Sequence, residues 1–283
     1  MNRPPNLLPA LVTPFTEDGT IDAAAHSFNV HTLWAQGVRG FLIGGSTGEG
    51  PYLDAGERTE LVALARAELG DDAYLLCGVS GESTAQAVAQ TAEAVAGGAD
   101  GVLVMTPTTL IRGRDDLVFA HFREVAERSP LPLFVYTVPN VTGYSLPVET
   151  ITELSRVEGI VGVKDSSGDP DRAGAVRAGV DEGFIIMIGS SRAIAATRAR
   201  GADGAITASS NYAAALAQQV VDGEPGAQEL LTTLVSIVEP NGIPGTKAAA
   251  EVMGLRAGWP RRPLRPVEEP VRREIAAGLA RPG

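Results

Sequence analysis

Two lysines stand against 21 arginines in this sequence of 283 residues, and one of them, Lys164, ends the apolar run Ile160-Val161-Gly162-Val163. A chain that writes nearly every cation as arginine keeps lysine where a guanidinium cannot serve, and a deprotonatable amine is the clearest such case. Desolvation disfavours the ammonium form, so a lysine at the inner end of a strand becomes a nucleophile able to form Schiff bases with ketones. The competing reading is a structural lysine paired with a carboxylate, for which Asp165 is the neighbour at hand. Two further segments carry candidate chemistry. Gly44-Gly45-Ser46-Thr47-Gly48-Glu49-Gly50 has the glycines needed to aim several N–H groups at an anion such as a carboxylate, although a plain turn would use the same residues. Within it Glu49 is expected to brace the loop rather than react. Tyr136 opens Tyr136-Thr137-Val138-Pro139, a rigid exit from an apolar run, and taken alone it reads as a core tyrosine.

These residues need a scaffold that brings distant segments together. Apolar runs over residues 7–12, 38–43, 73–79, 101–105, 133–137, 160–164, 184–188 and 204–207 recur, each followed by an alanine-rich stretch of helical period. Clear helices are expected over 54–69, 83–96, with Ser83 and Gln86 as a capping box, and 115–128. Eight consecutive βα pairs without a nucleotide-binding fingerprint predict a (β/α)8 TIM barrel over residues 1–222. The alternation then stops. Helices over 228–238 and 246–254 and a proline-rich tail predict an appended C-terminal helical extension over 223–283, with the arginine-rich stretch 256–273 as irregular surface or a subunit contact. Barrel chemistry collects at the carboxyl ends of strands, and here those ends are rich in hydroxyls: Thr13, Ser46, Thr47, Thr106, Tyr136, Thr137, Ser166, Ser190, Ser191, Thr207 and Ser209.

Composition removes several classes of function. The only cysteine, Cys77, rules out an internal disulfide and a cysteine-rich zinc site, and its apolar surroundings predict an inert buried thiol. His26, His31 and His121 fall in expected outer helices, so neither a metal nor a histidine base is expected. A net charge of −11 disfavours nucleic acid and anionic membranes as partners. The first nine residues lack a sustained apolar core for a signal peptide, and the longest uncharged stretch, 129–148, holds four prolines, so a cytoplasmic protein without a membrane span is expected.

Taken together on one barrel face, Gly45-Ser46-Thr47-Gly48-Glu49, Tyr136-Thr137-Val138-Pro139 and Gly162-Val163-Lys164-Asp165 closely resemble the dihydrodipicolinate synthase and N-acetylneuraminate lyase family of class I, Schiff-base aldolases. The resemblance covers the whole chain. It implies Lys164 as the imine-forming residue, Tyr136 as the proton-transfer residue, alone or through a relay with Ser46, and Ser46 and Thr47 as the carboxylate-binding pair. Gly189 and Ile206 are expected to line the pocket. It further implies a 2-oxo acid of pyruvate type as substrate, no cofactor, no metal, and a homo-oligomer, a tetramer by family habit. Departures bear on specificity. Asn140 and Val141 stand where synthases carry a Ser-Arg pair, and Thr108-Thr109 stand where the family carries two tyrosines. Thr108, Thr109, Val141 and Ser166 are therefore candidate specificity positions, and Arg112 or Arg114 could reach in from a neighbouring subunit to restore an anion contact. Segments 81–84, 136–147, 164–169 and 242–247 look more like 4-hydroxy-2-oxoglutarate aldolases. The expected reaction is cleavage or formation of a carbon–carbon bond with pyruvate. The alternatives are dehydration of a deoxy-oxo sugar acid, 4-hydroxy-tetrahydrodipicolinate synthesis, and a binding or regulatory barrel with impaired turnover. The other lysine, Lys247, is expected to support the appended helices.

Overall fold

The computed structural model describes residues 3–280. Within them every expected apolar run contains a strand: β1 Leu7–Pro9, β2 Gly40–Ile43, β3 Tyr74–Val79, β4 Gly101–Met105, β5 Leu133–Thr137, β6 Ile160–Asp165, β7 Ile185–Ile188 and β8 Gly204–Thr207. Neighbours pair in parallel from β2 through β8 and on to β1. The bridge between Ala10 and Leu42, with the Leu11 N–H donating to Leu42 O at 2.9 Å, brings β1 against β2 and makes the sheet a nearly closed (β/α)8 barrel. β1 ends short of residue 12 because its partners change: Ala10 N–H donates to Thr207 O on one side, Leu11 turns to β2, and Val12 N–H donates to the Asn211 side chain at 3.0 Å.

The helices that follow the strands are α1 Ala23–Ala35, α2 Glu57–Leu69, α3 Thr84–Gly97, α4 Asp115–Arg128, the short α5 Pro139–Thr142, α6 Val148–Leu154, α7 Pro170–Gly179, α8 Ile194–Arg198 and α9 Ala214–Asp222. Ser83 and Gln86 form the expected capping box on α3, and α4 carries Asp115 and Asp116 in its first turn and Arg128 in its last, each favourable to the helix dipole. Alternation along the strands splits the core into two layers. Leu8, Leu42, Leu76, Leu103, Phe134, Met187 and Ile206 fill the barrel, while Phe41, Ile43, Leu75, Val102, Val104 and Val163 face the helices.

Beyond the barrel lie α10 Ala227–Val238, α11 Gly242–Val252 and α12 Glu269–Leu279. Two expectations need correction here. The stretch 256–273 is not irregular throughout, because α12 begins at Glu269 and packs Ile275, with Val271 and Leu279 beside it, into a cluster with Val238, Ala248 and Ala249. The spacing of Val271, Ile275 and Leu279 is a helical stripe hidden in the sequence by the flanking prolines and charges. Nor does α11 wait for Thr246; Pro244 sits in its first turn, where a missing N–H costs nothing. Residues 281–283 of the expected extension lie outside the described residues.

Candidate active site

Lys164 reaches the barrel interior because β6 is not regular. Leu133 pairs with Ile160, yet Phe134 pairs with Gly162, leaving Val161 as an extra residue. Ile160 and Val163 accordingly both face the helices, three positions apart, while Val161 packs inward. A bulge of this kind reverses the parity of every later side chain, and it turns Lys164 toward the barrel axis. Gly162 permits it: a Cβ there would meet the Phe134 ring at 2.5 Å. Asp165 points the other way and is bound by Arg172 Nε at 2.6 Å and by the Ser167 N–H at 2.7 Å. The pairing of Lys164 with Asp165, open on sequence grounds, does not form.

Register sets Lys164 between Tyr136 on β5 and Met187 on β7. Its Nζ lies 4.3 Å from the centre of the Tyr136 ring. Both residues are buried, at 4% and 5% exposure, yet among the described residues neither Nζ nor the tyrosine hydroxyl has a hydrogen-bond or ion-pair partner in the protein. A buried amine left without an acceptor is placed to react rather than to brace. Lys247 is the contrast. Its Nζ donates to Thr13 O at 2.7 Å and Trp259 O at 2.6 Å and forms an ion pair with Glu49 at 2.7 Å, so it is held from three sides.

The glycine-rich segment after β2 folds as a turn in which Glu49 N–H donates to Ser46 O at 3.1 Å. Its glycines are needed for close approach: a Cβ on Gly50 would lie 1.9 Å from Gly44 O, and one on Gly48 would lie 2.7 Å from Leu11 O. Ser46 and Tyr136 line one small cavity, together with Gly44, Gly45, Ser80 and Met105. Most of the hydroxyls at the strand ends are consumed internally. Thr106 donates to Tyr136 O, Thr13 donates to Gly48 O, and Ser191, Ser209, Thr207 and Ser210 form a buried chain. Among the described residues the hydroxyls of Ser46, Thr47 and Ser166 make no protein hydrogen bond, which leaves them for a ligand.

Gly189 follows β7 directly beside the lysine, since a Cβ on it would fall 3.0 Å from Lys164 Cε and 1.8 Å from Ser166 Oγ. Ile206 is buried in the barrel cluster that contains Tyr136. The other specificity positions lie farther out. Thr108 is buried and Thr109 exposed, and both backbone N–H groups donate to Glu82, at 3.1 and 2.8 Å. Val141 on α5 is 70% exposed. Arg114 is taken by Asp116 at 3.1 Å, whereas the Arg112 guanidinium lies against Gly143 of its own chain, 3.4 Å from where a Cβ would be. The histidines are remote from Lys164: His26 is buried against α2 and contacts Leu61 O, His31 pairs with Glu68, and His121 contacts Thr84. Burial pushes the Cys77 thiol up to about 12, the inert thiol expected.

Three cations that hold the glycine-rich segment escape sequence reasoning. Arg58 on α2 is fully buried and donates to Gly50 O at 2.6 Å and Gly78 O at 3.2 Å. Arg261 in the tail donates through its backbone N–H to Glu49 and through its guanidinium to Glu57, Gly19 O and Tyr52 O. Lys247 is the third, more than 190 positions downstream of its partner Glu49. Only the rarity of lysine marked one of these three in advance.

The dihydrodipicolinate synthetase family model matches residues 3–281. A 4-hydroxy-tetrahydrodipicolinate synthase of Parasynechococcus marenigrum is 32% identical over 96% of this chain and 93% of its own length. The 4-hydroxy-tetrahydrodipicolinate synthase 1 of Streptomyces coelicolor is 35% identical over 95% and 90%. Among solved structures, a dihydrodipicolinate synthase of Bacillus anthracis superposes with a TM-score of 0.90 over the full length of both chains at 26% identity. The Acinetobacter baumannii enzyme, solved in complex with pyruvate, gives a TM-score of 0.87 over 97% of both chains at 27% identity.

Proposed function

The chain belongs to the dihydrodipicolinate synthetase family of class I lyases, and we propose that within it Lys164 forms an imine with the C2 carbonyl of a pyruvate-type 2-oxo acid. The observation that carries this is the Lys164 Nζ over the Tyr136 ring without an acceptor, whereas the other lysine, Lys247, is engaged by two carbonyls and a carboxylate.

The cycle runs as follows. Neutral Lys164 attacks C2, the resulting carbinolamine loses water, and the iminium withdraws electrons from C3. With a 4-hydroxy-2-oxo acid, the Tyr136 oxygen removes the C4 hydroxyl proton, directly or through Ser46 in the shared cavity. The C3–C4 pair moves into the iminium as that bond breaks, an aldehyde leaves, and an enamine remains on Lys164. Protonation at C3 and hydrolysis then release pyruvate and the free amine. Ser46 and Thr47 hold the C1 carboxylate through their free hydroxyls and nearby N–H groups, fixing the carbonyl toward Lys164. Gly189 and Ile206 shape the wall behind it.

The acceptor differs from that of a synthase in this proposal, because the outer pocket carries Thr108, Thr109 and Val141 and no arginine follows Tyr136 on α5. The second reading, 4-hydroxy-tetrahydrodipicolinate synthesis, is favoured by the names of relatives that match over nearly the whole chain. We take the active species to be a cytoplasmic homotetramer; the exposed apolar Leu110 and Val141 beside the mouth fit a surface covered by another copy. The chemical core is tested by incubating the protein with pyruvate and borohydride and mapping the adduct. Modification of Lys164 is expected. An adduct confined to Lys247, or full activity in Lys164→Arg, removes the mechanism. Steady-state kinetics then separate acceptors: efficient condensation of pyruvate with aspartate semialdehyde favours the synthase, and pyruvate release from 4-hydroxy-2-oxo acids favours the aldolase.

A further inference from the structure

Behind the glycine-rich turn lies a buried node that the reaction itself does not use. Lys247 on α11 and Glu49 in the turn are 2% and 1% exposed and meet at 2.7 Å. Lys247 Nζ also donates to Thr13 O, just past β1, and to Trp259 O, in the tail. Thr13 in turn donates its hydroxyl to Gly48 O at 2.7 Å, so one residue accepts from Lys247 and holds the neighbouring peptide of the turn. The second Glu49 oxygen accepts the Arg261 N–H at 2.7 Å. Among the described residues Glu49 is also the only non-glycine with a left-handed backbone, at φ 59°. A residue in that region persists only where its surroundings over-determine it. Here the surroundings are Lys247, Arg261 and Thr13. Glu49 closes the turn by donating its N–H to Ser46 O, and the residues it encloses are Thr47 and Gly48.

We propose that Lys247 and Glu49 are a positioning pair for the substrate carboxylate, through which the helices beyond the barrel set the aim of Ser46 and Thr47. The proposal rests on the assignment of Ser46 and Thr47 as the carboxylate site. It differs from a role in folding alone, because it ties the pair to affinity for the 2-oxo acid and not only to stability. Burial pulls the Lys247 ammonium below its ordinary range while Glu49 opposes the shift, so removing either partner strands a charge.

The experiment uses the full chain with pyruvate as the probe and compares Glu49→Gln, Lys247→Met and the double variant. Each is read by thermal melting and by the pyruvate concentration giving half-maximal borohydride trapping on Lys164. Both single variants are expected to melt lower. Replacing a buried ion pair by neutral groups of similar volume is often tolerated, so the double variant is expected to melt above Glu49→Gln and Lys247→Met, short of the wild type by the two carbonyl bonds that a methionine cannot make. Its half-maximal pyruvate concentration nonetheless stays raised roughly tenfold, by analogy with the loss of well-oriented contacts, while trapping at saturation still reaches completion. Recovery of affinity together with stability overturns the proposal. Thr13→Val, which removes only the bond to Gly48 O, supplies an independent arm: raised half-maximal pyruvate with little change in melting supports it, and unchanged affinity overturns it. Absence of Lys164 trapping in the wild-type protein is a different failure, that of the imine mechanism itself.

Discussion

Substituting Gly189 by alanine isolates the contact that lets Lys164 lie where it does. Gly189 has no left-handed backbone, so alanine brings no conformational penalty and any effect comes from the added methyl. That methyl would sit 1.8 Å from Ser166 Oγ, 2.9 Å from Ser166 Cβ and 3.0 Å from Lys164 Cε. The Ser166 hydroxyl can rotate away, but its Cβ moves only with the backbone, and the lysine stem must bend. Overpacking of this order costs about 1–3 kcal/mol. At about 2–4 °C per kcal/mol for a chain of this size, melting should fall by roughly 2–12 °C. Displacing the amine by several tenths of an ångström should also slow imine formation, about tenfold if a shift of 1 Å is taken to cost about 10²-fold. Melting curves and the initial rate of borohydride trapping with pyruvate measure the two effects. In Gly189→Ala/Ser166→Gly the serine contacts vanish and the lysine contact remains, so stability should return further than rate. Wild-type trapping rates in Gly189→Ala would refute the placement of the amine beside this backbone.

Tyr136→Phe should lower turnover on a 4-hydroxy-2-oxo acid by roughly 10²-fold or more while leaving pyruvate trapping on Lys164 intact, since the hydroxyl is asked to move a proton and not to form the imine; loss of trapping would assign the tyrosine another role. His26 sits buried with Nε2 against Leu61 O and Nδ1 without a partner among the described residues, and burial lowers it to about 4. Because the unfolded histidine takes its proton near 6.5, its contribution is complete above that pH and is lost as pH falls toward 4, at up to about 1.4 kcal/mol per pH unit; melting curves of the wild type and His26→Gln between these limits should diverge, and parallel curves would contradict the assignment. Arg112→Ala should raise KM for a dicarboxylic 2-oxo acid severalfold and leave pyruvate unaffected, because the guanidinium lies at Gly143 on the rim with no partner among the described residues. Equal KM values for the two proteins would remove Arg112 from the outer pocket.

The fold was legible because strand runs and helix caps are local signals. Residues 101–105 and 133–137 form strands with the expected bounds, and α4 spans the expected 115–128. What local signals cannot carry is the parity of β6. Strict alternation from Ile160 would place Ile160 and Lys164 on the same face, yet Ile160 faces helices and Lys164 faces the barrel. The one-residue bulge responsible depends on Phe134 of the next strand filling the space over Gly162, a contact made across 28 positions of sequence. The tail is opaque for a related reason, since its prolines and charges mask the stripe of Val271, Ile275 and Leu279 that α12 packs inward.

The two lysines show where residue type stops informing and environment takes over. Both are buried, and both lie near an aromatic ring, Lys164 at 4.3 Å from Tyr136 and Lys247 at 5.0 Å from Phe15. The lysine proposed to react and the structural one are therefore alike in burial and in ring contact, and they part in the polar groups around Nζ. Lys247 donates to carbonyls at the β1 exit and in the tail and pairs with Glu49 in the glycine-rich turn. Among the described residues Lys164 has no acceptor, because adjacent strand residues face opposite ways and Arg172 takes the Asp165 carboxylate. Arginine would suit neither place: at 164 it has no neutral amine for the proposed imine, and at 247 its planar fork would not converge on partners arranged about one atom. The two lysines of this chain thus answer two separate demands, an amine left without an acceptor at one site and a three-sided ammonium contact at the other.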